Sequence, residues 1–172
     1  MEDEIVYNGW LKVLKRHVKN KEYDILKDYD AVCAIVINQF NEVLMVKQFR
    51  PALMEETIEL PAGSLDVEGE HEISCLIREL KEETGLFISD SMISFALSYK
   101  PMMGFSNSLM KVYLVKVEKE ELKSNEIEDE DVYQVFWMDF KEWGDKIRKG
   151  EILDIKAILA YFYLKDYLEN NV

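Results

Sequence analysis

The chain has 172 residues, the size of one ordinary domain, and its 48% of hydrophobic residues is enough for a packed core. Its 34 Asp and Glu residues outnumber 21 Lys and Arg residues, and the net charge of −13 argues against a protein that binds nucleic acid or an anionic membrane through a basic face. The longest apolar runs, 31–37 and 157–164, are too short for a membrane-spanning helix, which needs roughly 20 residues.

The first residues and the cysteines bear on the cellular compartment. Met-Glu-Asp-Glu lacks the basic and then apolar pattern of a secretory signal peptide. Cys33 and Cys75 are the only cysteines, so a disulfide framework is not expected. We therefore expect a cytoplasmic protein.

Apolar periodicity predicts a series of strands that is interrupted by one helix and followed by two more. In chain order, the predicted strands are Trp10–His17, Tyr23–Lys27, Ala31–Asn38, Val43–Phe49, Ile58–Leu60, Met92–Tyr99, Leu109–Glu118 and Tyr133–Met138. The predicted helices are 71–84, Lys141–Lys149 and Asp154–Tyr167. The spacing in the last helix predicts a buried stripe of Ile155, Ile158, Leu159 and Phe162. This order predicts an α+β fold in which helices pack on a mixed sheet.

The helix predicted at 71–84 has the clearest periodicity. Ile73, Leu76, Ile77 and Leu80 fall at the i, i+3, i+4 and i+7 positions and predict one buried face. Gly85 follows as a typical C-terminal stop.

The same helix carries a cluster of acidic side chains on a neighbouring face. Glu79, Glu82 and Glu83 are surface neighbours at this spacing, and like charges so placed cost about 0.2–0.5 kcal/mol per pair unless something compensates them. A Mg²⁺ site gathers carboxylate oxygens in this way, whereas a solvated face of glutamates, which are good helix formers, needs no ligand. The helix alone leaves both interpretations open.

The surrounding sequence favours the metal site. Gly63, Glu70 and the run Arg78–Leu86 (RELKEETGL) resemble the Nudix box, G-x5-E-x7-R-E-U-x-E-E-x-G-U with U apolar. Every fixed position from Glu70 to Leu86 matches the family spacing. One departure lies in the preceding loop, where six residues rather than five separate Gly63 from Glu70.

The resemblance implies a fold and a domain arrangement. Members of the Nudix family are α/β/α sandwiches with a mixed β-sheet and a catalytic loop-helix-loop. By similarity, 30–172 is expected to be the Nudix hydrolase domain, and 1–29 a short N-terminal β extension that contacts a partner in a homodimer.

The resemblance also implies the metal site and its support. Glu79 and Glu83 become the main ligands and Glu82 a third, with the backbone carbonyl of Ala62 as a further ligand. The ion is expected to be Mg²⁺, with Mn²⁺ as a substitute, and it would supply the positive charge that an acidic protein needs to bind a diphosphate. Among the remaining box residues, those implied to support the site are Gly63, Glu70, Arg78 and Gly85.

The regions that flank the box are similar to one branch of the family, the ADP-ribose pyrophosphatases. The similar stretches are 48–52 (QFRPA), 59–63 (ELPAG), 101–106 (PMMGFS) and 150–158 (GEILDIKAI). By this resemblance Arg50, Gly104 and Ser106 contact the substrate, and the planar guanidinium of Arg50 suits phosphate oxygens. The alternative for Arg50 is an ion pair with Glu55, Glu56 or Glu59.

In this branch a loop before a late strand supplies the acid that activates water. The segment 124–132 (SNEIEDEDV) lies at the matching place. Glu128 is assigned as the general base and Glu130 as a further metal or water contact, with Glu126 as the competitor for the base. A solvated acidic loop is the alternative for each of these residues.

The resemblance therefore implies a Mg²⁺-dependent enzyme that hydrolyses ADP-ribose to AMP and ribose 5-phosphate. The N-terminal segment departs from the branch, because lysines occupy the region where related enzymes present arginines. The open alternatives are another sugar nucleotide or dinucleotide as substrate, a non-catalytic module that senses such ligands, and an acidic helix without a metal. In each ligand-binding case the partner is a nucleoside diphosphate-linked small molecule.

Overall fold

The structure is a computed structural model and describes residues 3–119 and 127–170. Within these residues the chain forms ten strands and three α-helices. The strands are β1 (Asp3–Asn8), β2 (Lys12–Val18), β3 (Lys21–Lys27), β4 (Ala31–Asn38), β5 (Glu42–Arg50), β6 (Glu55–Glu59), β7 (Ala62–Ser64), β8 (Ile93–Tyr99), β9 (Met110–Val117) and β10 (Val132–Asp139). The helices are α1 (Glu72–Thr84), α2 (Phe140–Lys149) and α3 (Ile155–Asn170). None of these helices has the length and apolar character needed to cross a membrane.

The first three strands form a separate antiparallel sheet, which we call the N-terminal sheet. The backbone N–H of Leu26 connects it to the rest of the protein by donating to the Phe105 carbonyl at 2.7 Å. The sequence analysis missed β1, because every residue of that strand is exposed and no alternation of buried and exposed residues marks it. The division of the chain at residues 29 and 30 stays a prediction.

The main sheet is mixed, as predicted. Its path is β10-β5-β4-β9-β8, in which β4 and β9 run parallel and the other neighbours run antiparallel. After the hairpin contact of Ile37 with Val43, β4 and β5 separate, and β6 pairs with β5 while β7 pairs with β4. This opening brings residues 55–64 into the sheet, where the sequence predicted only a short extended piece.

Helices cover both faces of the main sheet. Along β4, Ile35 and Ile37 pack in the apolar cluster that includes α2 and α3, whereas Ala34 and Val36 pack in the cluster that includes α1. The period of two residues in a strand places these side chains on opposite faces. The predicted three-layer sandwich is therefore confirmed.

The ends of α1 follow from local chemistry. His71 precedes the helix, and its Nδ1 accepts a hydrogen bond from the Ile73 N–H. Gly85 ends the helix in the left-handed region (φ +72°), which glycine adopts without a steric penalty. Leu76 and Leu80 are buried as predicted.

The predicted buried face of α3 is wrong. Ile155 and Phe162 are 50% and 58% exposed. The buried residues of this helix are Lys156, Ala157, Ala160 and Leu164. Since the helix carries apolar residues nearly all round, their spacing does not select one face. The small alanines face the sheet, where they allow a close approach.

Candidate active site

Arg78 and Glu70 brace the loop before α1 against the helix. Nε and Nη2 of Arg78 donate to the two carboxylate oxygens of Glu70, each at 3.0 Å. Nη1 of Arg78 lies 2.8 Å from Oε1 of Glu79 and 3.0 Å from Oε2 of Glu82. The hydrogen-bonded Glu70 and the nearby Glu79 raise the pKa of Arg78, so this guanidinium is a fixed positive charge.

Glu83 is buried with one hydrogen bond and no ion pair among the described residues. It is 4% exposed, and its Oε2 accepts the backbone N–H of Ala62 at 2.9 Å. Burial raises its pKa well above the ordinary carboxylate value, the Ala62 N–H opposes that rise, and the negative charges of Glu79 and Asp129 add to it. An ionised carboxylate in this position lacks a cation.

Glu79 lies against the backbone of the loop glycine. A Cβ atom at Gly63 would stand 2.0 Å from Cγ and Cδ of Glu79, so only glycine fits. Burial raises the pKa of Glu79, although Arg78 lowers it in part. The backbone of residues 62–63 is thus in contact with both carboxylates, the partly buried Glu79 and the buried Glu83.

These carboxylates fit a divalent cation. Glu79 and Glu83 are four residues apart on one face of α1 and are hard oxygen donors. Glu83 is buried without a counter-charge among the described residues, whereas Glu79 is partly buried and lies beside Arg78. Across residues 3–119 and 127–170, however, no three acidic, histidine or cysteine side chains are gathered as a complete metal site. In this structure Glu82 contacts Arg78, and Ala62 contacts Glu83 through its backbone N–H rather than its carbonyl. The roles of Glu82 and of the Ala62 carbonyl as ligands stay predictions.

The acidic loop before β10 is held on the last turn of α1. The backbone N–H groups of Glu128 and Asp129 both donate to the Glu82 carbonyl, at 2.7 and 3.1 Å. The Glu128 carboxylate lies 2.9 Å from Nζ of Lys81. Lys81 is two residues beyond Glu79, so at about 100° per residue it lies about 200° around the helix from Glu79.

The neighbour of Glu128 acts on the Glu79 and Glu83 carboxylates through its charge. Asp129 is partly buried, and its charge is among those that raise the pKa values of Glu79 and Glu83. The sequence does not single out Asp129, because nothing in a run of consecutive acids shows which charge acts on the α1 carboxylates. Glu130 is exposed, and Glu126, the competing base, lies outside the described residues.

Arg50 forms the ion pair that was the alternative to substrate contact. Its Nε and Nη2 donate to Oε1 and Oε2 of Glu59 at 2.7 and 2.6 Å, and Thr57 Oγ1 also donates to Oε1 at 2.7 Å. On the other side of Glu59, Nζ of Lys156 contacts Oε2 and lies 3.1 Å from Oδ2 of Asp154. Burial would raise the pKa of Glu59, but the Arg50 hydrogen bonds and the Lys156 charge hold it far below the usual range.

A cleft with a volume of about 470 Å³ lies beside this ion pair. Its lining includes Arg50, Leu53, Thr57, Ile58, Leu153 and Lys156. The Arg50 side chain is 46% exposed, so part of its guanidinium remains accessible to a ligand. Only two residues separate Glu59, at the end of β6, from Ala62 at the carboxylate cluster.

The structure records Gly104 and Ser106 in a loop that meets the N-terminal sheet. Gly104 is exposed, while Ser106 is buried and hydrogen-bonded to Ser108 Oγ at 3.1 Å. Ser106 also forms a β-bridge with Leu26 of β3. Their contact with substrate stays a prediction.

Replacing Glu83 by Gln should stabilise the metal-free protein. Gln keeps an acceptor for the Ala62 N–H and removes a buried charge. Because the folded-state pKa of Glu83 is raised, ionisation destabilises the fold near neutral pH. The free energy of unfolding of the wild type therefore increases as the pH falls through the raised pKa of Glu83 toward the ordinary carboxylate range. We expect Glu83→Gln to melt a few degrees higher at pH 7.5, at about 2–4 °C per kcal/mol, with a smaller difference at pH 5.

The measurement is a melting curve in EDTA at both pH values. Glu72→Gln, on the same helix but paired with Lys111, is the control and should melt no higher than wild type. A lower melting temperature for Glu83→Gln at pH 7.5 would contradict the assignment of an uncompensated buried charge.

Comparisons with known proteins are consistent with this geometry. The family model described as the NUDIX domain matches residues 27–160. The chain is 26% identical to an ADP-ribose pyrophosphatase of Bacillus subtilis (strain 168), over 94% of this chain and 89% of the relative. It is 27% identical to a methanol dehydrogenase activator of Bacillus methanolicus (96% and 91% covered) and 30% identical to a GDP-mannose pyrophosphatase of Cronobacter sakazakii (87% and 78% covered).

A solved structure shares the fold. The crystal structure of an ADP compounds hydrolase matches with a TM-score of 0.75 at 16% identity, over 98% of this chain and 92% of that one. Since the family model spans most of the chain and the box residues brace one helix and loop, the chain belongs to the Nudix hydrolase family.

Proposed function

We propose that this protein hydrolyses the diphosphate bond of ADP-ribose with Mg²⁺ and releases AMP and ribose 5-phosphate. The observation that carries the proposal is the pair of carboxylates, the buried Glu83 and the partly buried Glu79, held against the backbone of Ala62 and Gly63. Two further features support it: the accessible Arg50 beside the cleft, and the relatives named as ADP-ribose pyrophosphatases.

The metal site of this proposal consists of Glu79 and Glu83, with Glu82 and the Ala62 carbonyl as further ligands. Nudix hydrolases generally use divalent ions, and Mn²⁺ would suit the same oxygen donors. When bound, the ion neutralises the diphosphate and lowers the pKa of a bound water. Arg78 would have to share Glu82 with the ion, since its Nη1 donates to Oε2 of that carboxylate at 3.0 Å.

The protein's own groups hold the substrate and move the proton. Arg50 binds phosphate oxygens through the part of its guanidinium that Glu59 leaves open. An acid of the loop before β10 takes a proton from water as the water oxygen attacks one phosphorus. The bond from that phosphorus to the bridging oxygen breaks, and the second phosphate leaves with the bridging oxygen.

Two described acids of this loop compete for the role of base. Glu128 is the residue that the sequence assigns, and reaching the cluster would require it to leave Lys81. The charge of Asp129 acts on both Glu79 and Glu83, which makes it the second candidate. Glu130 keeps its proposed place as a further metal or water contact.

The proposal includes a homodimer that uses the N-terminal sheet. Ile5, Tyr7, Trp10 and Tyr23 of this region expose large apolar side chains. Contact with a second copy of the chain would remove this surface from water.

Another sugar nucleotide is the second candidate substrate, because relatives of similar identity are named GDP-mannose pyrophosphatases. A panel of ADP-ribose, GDP-mannose, NADH, diadenosine polyphosphates and nucleoside triphosphates separates the two candidates. ADP-ribose should give the highest kcat/KM.

Glu83→Gln and Glu79→Gln should each lower kcat for ADP-ribose by roughly 10²-fold or more in Mg²⁺, because each removes charge that holds the ion at the reacting phosphate. The measurement is the rate of AMP release, which is monitored by chromatography. Glu72→Gln is the matched control on the same helix and should retain activity. Near-native turnover by Glu83→Gln would refute the proposed metal site.

The loop acids are separated by a matched pair of variants, Glu128→Gln and Asp129→Asn. Loss of the general base should lower kcat by about 10²–10⁴-fold with little change in the Mg²⁺ concentration needed for half-maximal rate. Asn at 129 still offers Oδ1 to the Asp131 N–H, which Asp129 accepts at 2.7 Å, so the loop turn is retained. If Glu128→Gln keeps wild-type turnover and Asp129→Asn does not, the assignment from sequence is wrong.

A further inference from the structure

Lys156 is a buried lysine to which the proposed reaction gives no task. It lies in the first turn of α3, is 6% exposed, and contacts the carboxylates of Glu59 and Asp154. Burying charged groups carries a desolvation penalty, and apolar side chains of similar volume often stabilise a fold equally well or better. Stability alone is therefore a weak reason for a charged network at this position.

The carboxylate of Glu59 joins Lys156 to Arg50. Each Glu59 oxygen contacts two donors: Oε1 accepts from Arg50 Nε and Thr57 Oγ1, and Oε2 accepts from Arg50 Nη2 and Lys156 Nζ. Glu59 is therefore held from both sides and can hold the guanidinium in one orientation. Among the described residues nothing binds Nη1 of Arg50, which leaves that nitrogen for a ligand.

The network orients Arg50 rather than adding positive charge. Arg50 and Lys156 carry two positive charges, and Glu59 and Asp154 carry two negative charges, so the four groups sum to zero. Asp154 also accepts from the N–H of Ala157 at 3.1 Å, which ties the network to the start of α3. A long arginine side chain that is already fixed loses less conformational freedom when it binds a phosphate.

We propose that Lys156 is a positioning residue that acts through Glu59 to hold Arg50 in the orientation that binds the substrate diphosphate. This inference rests on the proposed function, because it requires Arg50 to contact that diphosphate. The cleft that Arg50 and Lys156 both line is the place where the contact would form.

A double-mutant cycle tests the proposal. The dissociation constant for ADP-ribose is measured by calorimetry in EDTA, where no metal supports turnover, for wild type, Lys156→Met, Arg50→Ala and the double variant. Lys156→Met should weaken binding by about tenfold, within the range of coupling seen in one ion-pair network. In the Arg50→Ala background the same change should have no further effect. Lys165→Met, an exposed lysine of the same helix, should bind like wild type.

Thr57→Val covers the case in which Lys156→Met does not fold. It removes one donor to Glu59 without changing a charge and should weaken binding about threefold, again only when Arg50 is present. Wild-type affinity in the folded Lys156→Met variant, or an equal loss with and without Arg50, would overturn the proposal. If Lys156→Met does not fold, wild-type affinity of Thr57→Val would overturn the proposal.

The two proposals fail in different ways. Coupled binding without AMP release in Mg²⁺ would leave the positioning role intact and refute the hydrolase. AMP release without coupling would refute the positioning role and leave the hydrolase intact. A wild-type chain that binds no ADP-ribose would overturn both.

Discussion

The hydrogen bond from the Ala62 N–H to the Glu83 carboxylate is the contact on which the site depends. It joins β7, a strand of three residues in the gap between β4 and β5, to α1, which carries Glu83. It also keeps Glu83 buried with no cation beside it in the described part of the chain, and Gly63, the next residue, leaves room for Glu79. The fold thus places two carboxylates where their ionisation opposes stability, and a divalent ion would relieve that opposition.

The two arginines near this site are held in the same manner. Glu70 accepts two hydrogen bonds from Arg78, and Glu59 accepts two from Arg50. Each guanidinium is therefore presented by a carboxylate that is itself anchored, in one case on the loop before α1 and in the other on α3 through Lys156. Arg78 in this way braces the loop against α1, and under the proposed function an acidic protein could offer the oriented Arg50 to a diphosphate without a basic surface.

The parts of the fold and site that were predictable have local signals. The period of α1 and the stop at Gly85 follow from sequence spacing, and the support of the site by Arg78 and Glu70 was implied by the family resemblance. What was missed depends on distant contacts. The length of β6 and β7 is set by the opening of the β4–β5 hairpin, and the buried face of α3 is set by where its alanines meet the sheet. The Lys156 network joins residues 97 positions apart, and no spacing rule brings them together.

The position of a bound ion is the most direct test of this account. Crystals grown with Mn²⁺ would be measured above and below the manganese absorption edge, and the anomalous difference map would locate the metal. The account predicts a peak within bonding distance of carboxylate oxygens of both Glu79 and Glu83. A map without a peak there, at a Mn²⁺ concentration that supports hydrolysis in solution, would contradict it.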